Sequence, residues 1–258
     1  MLYAVLVGID RYRDRRIRNL RFARSDAEAL ARLLTRIDPA ERDIRLLLDE
    51  EATKHAIMTE IGVRLRGQAG PDDVVLIYFA GHGSPEQGPL ADDVARYLVT
   101  HDTEKDNIYA TAIDFDNEIN RWFERIDRPK LVLLLIDSCF SGGAGGRTFV
   151  GPELKRSRAG SRAPISLSLK DLDLGEGKLI ITACGEDEMA EESAAVGGGV
   201  FTHFLVKGPA ASGEDTVGLH SLYEHVARSV RDWSRKNQNP IIYGRSSYAR
   251  FPNVWSAP

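Results

Sequence analysis

Cysteine is scarce: the 258 residues hold two, Cys139 and Cys184. So few thiols exclude a disulfide framework and fit a reducing compartment. Long apolar runs are also missing. Leu131–Ile136 spans six residues, far short of the roughly 18 needed to cross a bilayer. Met1 leads into the apolar run Leu2–Val7, too short for the core of a secretion signal and its cleavage site. Nor is there an excess of one charge. Lys and Arg number 34 against 38 Asp and Glu, a net of −4, so no global field draws in nucleic acid or an anionic membrane. Arg11, Arg13, Arg15, Arg16, Arg18, Arg21 and Arg24 crowd one segment, but without interleaved aromatic platforms they do not make a nucleic-acid surface. Dinucleotide and Walker-type phosphate loops are absent, and no Gly-x-Ser-x-Gly elbow follows a strand. The expectation is a cytoplasmic globular protein with neither a nucleic-acid nor a membrane partner.

What is present is an alternation of short β-rich runs with helical periods. Leu2–Ile9, Ile44–Leu48, Asp73–Phe79, Leu131–Ile136, Lys178–Thr182 and Pro240–Tyr243 read as strands. Ala95–Val99 reads as a small extension. Between the strands, Phe22–Ile37, a segment capped by Thr53 and running to about Arg66, Ile113–Ile126, Val200–Val206 and Leu219–Trp233 carry helical spacing. Strands alternating with helices imply an α/β fold: one mostly parallel six-stranded sheet with helices on both faces. A single domain over 1–258 is expected. Its main irregular stretch, about 141–177, is rich in Gly, Ser, Arg and Pro and is long for a connection.

Two of the fully apolar strands end in reactive residues. One continues through Tyr78-Phe79-Ala80-Gly81-His82-Gly83, the other through Ile136-Asp137-Ser138-Cys139-Phe140-Ser141-Gly142. Sites in parallel α/β sheets form beyond the carboxyl ends of the strands. A thiol and an imidazole meeting there can supply a nucleophile and its base, and the same ring can protonate a leaving amine. Flanking glycines let a substrate backbone approach and free N–H groups for an oxyanion.

These two motifs resemble those of caspase-like cysteine peptidases, most closely the metacaspase and orthocaspase branch. The separation of 57 residues from His82 to Cys139 suits the caspase pattern of a His about 50 residues upstream. The resemblance extends over most of the chain, through Tyr3–Asp10, Leu20–Leu30, Thr182–Glu192 and Gly199–Val206. It implies His82 and Cys139 as catalytic residues, and an oxyanion hole from the N–H groups of Gly83 and Cys139. It also implies a P1 pocket from Asp26 and Asp137. Two carboxylates beside the nucleophile would pair with a guanidinium or ammonium and repel an acidic side chain, so protein or peptide substrates with Arg or Lys at P1 are expected. A catalytically silent caspase-like scaffold is the alternative.

The stretch about 141–177 would then link a p20-like to a p10-like part. Its basic residues Arg147, Lys155, Arg156, Arg158 and Arg162, with Lys170, are candidate processing sites for self-cleavage or for an upstream activating protease. The chain departs from the metacaspase pattern at Ala80 and Ala23, where a hydroxyl residue and a cysteine are common. Asp102, Asp114 and Asp116 are retained, yet no acid closely follows Cys139, and a Ca²⁺ ion wants six to eight oxygens. Calcium dependence is therefore judged against, and no cofactor or catalytic metal is expected. Cys184 matches a position where metacaspases carry a cysteine; by itself it reads as a small buried hydrophobe. A monomer is expected.

Overall fold

Every residue of Val74–Ala80 and of Leu131–Asp137 is buried, because both strands lie in the middle of a sheet covered on each face. The computed structural model describes residues 1–87, 94–140, 147, 149, 174–185, 188–209, 215–248 and 250–255. Its central sheet has six strands, in the order Ile241–Arg245, Lys178–Thr182, Leu131–Asp137, Val74–Ala80, Leu2–Gly8, Arg42–Leu48. Five run parallel and the edge strand Ile241–Arg245 is antiparallel to its neighbour. Register places Ala80 opposite both Gly8 and Asp137. The chain therefore leaves three adjacent strands at one level, and that edge carries the candidate site.

Alternation along the strands divides the core in two. Val75, Ile77, Phe79, Val132, Leu134 and Ile136 pack with Ile57, Ile61, Leu65, Phe115, Ile119 and Trp122. On the other face Leu76, Tyr78, Leu133 and Leu135 pack with Ala27, Leu30, Leu34, Phe201, Leu205 and Leu222. Burying each large apolar side chain contributes about 1.5–3 kcal/mol, which selects this register over a one-residue slip.

The expected strands and helices are found with modest shifts. The first helix spans Ala23–Leu34, and its start is closed by Asp10, whose carboxylate accepts the Ala23 N–H at 2.8 Å. The segment capped by Thr53 is helical from Lys54 to Gln68, but Glu60–Leu65 forms a π-helical turn. There Arg125 donates to the Gly62 carbonyl at 2.9 Å, an outside donor entering the helical ladder. The helix expected from Ile113 begins at Phe115, with Asp114 accepting the Asn117 N–H at its start. Ile113–Asp114 instead joins Gly83–Gln87 and Val94–Leu98 in a small three-stranded sheet. Val200–Lys207 and Leu219–Trp233 form as expected.

Candidate active site at the carboxyl edge of the sheet

His82 follows the Val74–Ala80 strand and is fully buried. Its backbone N–H donates to the Tyr12 hydroxyl at 2.9 Å, and the Tyr12 ring stacks on the imidazole at 5.2 Å. Nε2 lies 2.7 Å from the Arg18 carbonyl oxygen. A carbonyl can only accept, so Nε2 carries the proton and Nδ1 holds the lone pair. Nδ1 is buried without a hydrogen-bond partner. Desolvation lowers the His82 pKa to about 4, partly offset by the Arg18 carbonyl. The ring is thus neutral at neutral pH and has a basic nitrogen to spare.

Burial of a neutral imidazole has a consequence for stability. The unfolded ring titrates near 6.5 and the folded one near 4, so between these values protons favour the unfolded chain. His82 therefore contributes stability above pH 6.5 that is lost as pH falls toward 4, about 3 kcal/mol in all. Urea unfolding across this range should show that loss in the native chain and a flatter profile in His82→Gln.

Cys139 lies two residues beyond the Leu131–Asp137 strand and is likewise fully buried. Between the strand and the thiol, the Ser138 hydroxyl donates to the Gly81 carbonyl at 2.6 Å, tying the Cys loop to the His loop. The Ala190 N–H donates to Sγ. Cys184 Sγ is 3.5 Å from Cys139 Sγ. Gly83 sits so close to this loop that a Cβ on it would come within 2.8 Å of the Phe140 ring.

The space beside Cys139 is filled by Arg147. Its carbonyl oxygen accepts the Gly83 N–H at 3.0 Å and the Cys139 N–H at 3.4 Å, the two groups expected to hold an oxyanion. Its own N–H donates to Ala190 O at 3.4 Å, and two residues on, the Phe149 N–H donates to Gly83 O at 2.8 Å. The guanidinium is completely buried. Nη1 donates to the Asp137 carbonyl at 3.0 Å and pairs with Asp137 Oδ2 at 2.9 Å. Nη2 pairs with Asp26 and lies 3.4 Å from Glu192 Oε1. Burial opposes the charge on Arg147, but Asp137 and Asp26 outweigh it and raise its pKa.

The sequence-predicted Asp26 and Asp137 therefore meet around one cation, one from the first helix and the other from the end of a strand. Gly199 N–H donates to Asp26 at 2.9 Å, while Thr202 Oγ1 donates to Asp137 Oδ2 at 2.6 Å and contacts the Tyr78 hydroxyl at 2.6 Å. Burial pushes the Asp26 carboxyl up, Arg147 pulls it down, and the nearby Asp137 pushes it up again; the net direction is upward. Burial is the largest cause, and the neighbouring Asp137 adds to it.

Glu192, Thr202 and Gly199 were not singled out as site residues by the sequence. Glu192 ends the motif-like segment Thr182–Glu192, where it is one of several acids with nothing local to set it apart. Thr202 and Gly199 had no signal beyond the motif-like segment Gly199–Val206. A Cβ on Gly199 would come 2.7 Å from Arg147 Nη2 and 2.8 Å from Asp137 Oδ2, so glycine makes room for the guanidinium. Lys155, Arg156, Arg158, Arg162 and Lys170 lie outside the described residues.

Asp102, Asp114 and Asp116 do not converge on an ion site. Asp102 accepts from Lys54 N–H and Thr100, Asp114 caps a helix, and Asp116 pairs with Arg96. Among the described residues no group of three His, Cys, Asp or Glu side chains is placed to hold a metal ion. No helix of the described residues is long and apolar enough to cross a membrane.

A mostly parallel six-stranded sheet with helices packed on both faces is the caspase-like fold. The chain belongs to the caspase-domain family of cysteine peptidases, whose model matches residues 1–252. Its fold is similar to that of protein GSU0716 from Geobacter sulfurreducens, with TM-score 0.69 and 16% identity over 100% of this chain and 99% of that one. It is also similar to caspase-1 from Spodoptera frugiperda, with TM-score 0.56 and 16% identity over 95% of this chain and 89% of that one. At these identities the likeness speaks for the fold alone. No curated protein matches the chain.

Proposed function

We propose that this protein is a cysteine endopeptidase that cuts after arginine, and that its first substrate is its own Arg147–Thr148 bond. The observation carrying this reading is the placement of Arg147. Its carbonyl oxygen rests on two N–H groups beside the thiol while its guanidinium fills a pocket of three carboxylates. Ala190 O and Gly83 O take backbone N–H groups on either side of the bond, as an extended substrate requires.

In this mechanism Cys139 Sγ attacks the Arg147 carbonyl carbon. His82 Nδ1 takes the thiol proton and later gives it to the Thr148 amine as the C–N bond breaks. Gly83 and Cys139 N–H groups hold the oxygen as it becomes negative. Water, activated by the same imidazole, then hydrolyses the thioester. The chain would be a zymogen, with residues 141–177 linking a p20-like and a p10-like part, acting as a monomer in the cytoplasm on protein substrates. An upstream protease could make the same cut in trans, and no metal enters the scheme.

The pocket favours Arg over Lys. Two guanidinium nitrogens divide between the Asp137 side and the Asp26–Glu192 side; a single ammonium cannot span both. Incubating the pure chain should yield a new amino terminus at Thr148, and Arg147→Lys should slow that cut by about tenfold or more. Fluorogenic peptides with Arg, Lys or Asp at P1, with calcium and with chelator, extend the test. Turnover after Asp would overturn the pocket assignment, and no turnover of any peptide by the cut chain would overturn the peptidase reading.

A further inference from the structure

We propose that Cys139 and Cys184 are a modification site: a hydroperoxide joins them in a disulfide that removes the nucleophile reversibly. Cys184 touches neither the arginine nor the carboxylates around it, so the peptidase reading leaves it without a task. Only the loss of activity rests on that reading; the disulfide itself does not.

The placement follows from the sheet. Leu131–Asp137 and Lys178–Thr182 are parallel neighbours, with Ile136 opposite Thr182 and Ala183 N–H donating to Ile136 O at 2.8 Å. The two chains leave the sheet side by side, about 4.8 Å apart, with Cys184 one register position from Cys139. The sulfurs are 3.5 Å apart, and the Glu188 carbonyl lies 3.5 Å from each. Small side-chain rotations close the gap to a bond of about 2.05 Å. Both residues are buried, which favours a small peroxide over a bulky disulfide as the oxidant.

The chemistry balances in two steps. Cys139 thiolate attacks one peroxide oxygen; the S–O bond forms, the O–O bond breaks, and alkoxide or hydroxide departs with the electron pair. Cys139 is now a sulfenic acid, oxidised by two electrons at the peroxide's expense. Cys184 sulfur then attacks Cys139 sulfur, its proton joining the departing hydroxide as water while the S–S bond forms. The Cys184 pKa is raised, first by its hydrogen bond with Cys139, then by burial and by the Cys139 charge. Oxidation of Cys139 removes that charge and alters that hydrogen bond, so Cys184 becomes more reactive once its partner has been oxidised. A dithiol restores both thiols.

The test applies hydrogen peroxide to the full chain and to Arg147→Ala, in which the side chain anchoring the covering segment is removed. Free thiols are then alkylated and peptides mapped without reduction. The expected result is a Cys139–Cys184 linked peptide within one chain. An at least tenfold loss of arginyl-peptide turnover, returning with dithiothreitol, should accompany it. In Cys184→Ser and Cys184→Ala, Cys139 should instead pass on to the sulfinic acid, and activity relative to each untreated variant should not return. Finding Cys139 sulfinic in the native chain with no linked peptide would overturn the proposal, as would equal recovery in the Cys184 variants. A linked peptide in a chain that cuts nothing would sustain the disulfide and overturn the peptidase reading instead.

Discussion

Cys139→Ala is expected to abolish the cut after Arg147 and to lower arginyl-peptide turnover by at least about 10⁴-fold, since the nucleophile beside the two N–H groups that hold the Arg147 carbonyl is lost. His82→Ala should fall nearly as far, because no group then takes the thiol proton and returns it to the leaving amine. The two losses should not add: the double variant is expected to be no worse than Cys139→Ala, as for residues acting as one unit. Mass spectrometry of the purified chains checks the cut, and a fluorogenic arginyl peptide checks turnover. Full activity in Cys139→Ala would sink the assignment outright. The fold should survive in this variant, because the thiol contributes little apolar area compared with Tyr78, Phe79 and the other residues packed behind it.

Asp137→Ala is expected to lower kcat/KM for arginyl peptides by about 10² to 10³-fold, the cost of removing one member of a buried charge pair. The same change should leave Arg147 uncut for much longer than in the native chain. Asp137→Asn keeps the shape and the approach of Thr202 Oγ1 while removing the charge, and should be nearly as slow. Stability should move the other way once the pocket is empty. After self-cleavage and release of the Arg147 segment, Asp26, Asp137 and Glu192 face one another without a cation, and a neutral residue relieves that repulsion. Urea midpoints of the cut chains should therefore be higher for Asp137→Asn than for the native protein. A substitution that slows turnover equally for Arg and for uncharged P1 residues would mean that Asp137 acts on the nucleophile and not on P1. The comparison is made with a matched P1 series on the cut enzyme.

The two groups of residues differ in how directly they could be read. The apolar runs ending in His82 and Cys139 are strands because nearly every residue in them is apolar and β-favouring, which allows burial on both faces. Their reactive ends follow from the chain direction. Asp26 and Asp137 could be named from the resemblance of their local motifs. The π-helical turn at Glu60–Leu65 could not, because its cause, Arg125 donating to the Gly62 carbonyl, is 63 residues away. Glu192 was hidden for the same kind of reason. In an acidic run nothing local distinguishes the one carboxylate that turns inward to Arg147.

By itself, then, the amino-acid order determined the period of each element, the mostly parallel sheet and the residues at its strand ends, all set by neighbours close in the chain. The tertiary structure alone decided that Arg147, and not another basic residue among the described ones, occupies the carboxylate pocket. It alone brought Cys184 to within 3.5 Å of Cys139, and gave Thr202 and Gly199 their places around Asp137 and Asp26. These contacts join segments tens to more than a hundred residues apart. Such contacts are selected by closure of the whole packed sheet, and no local propensity encodes them.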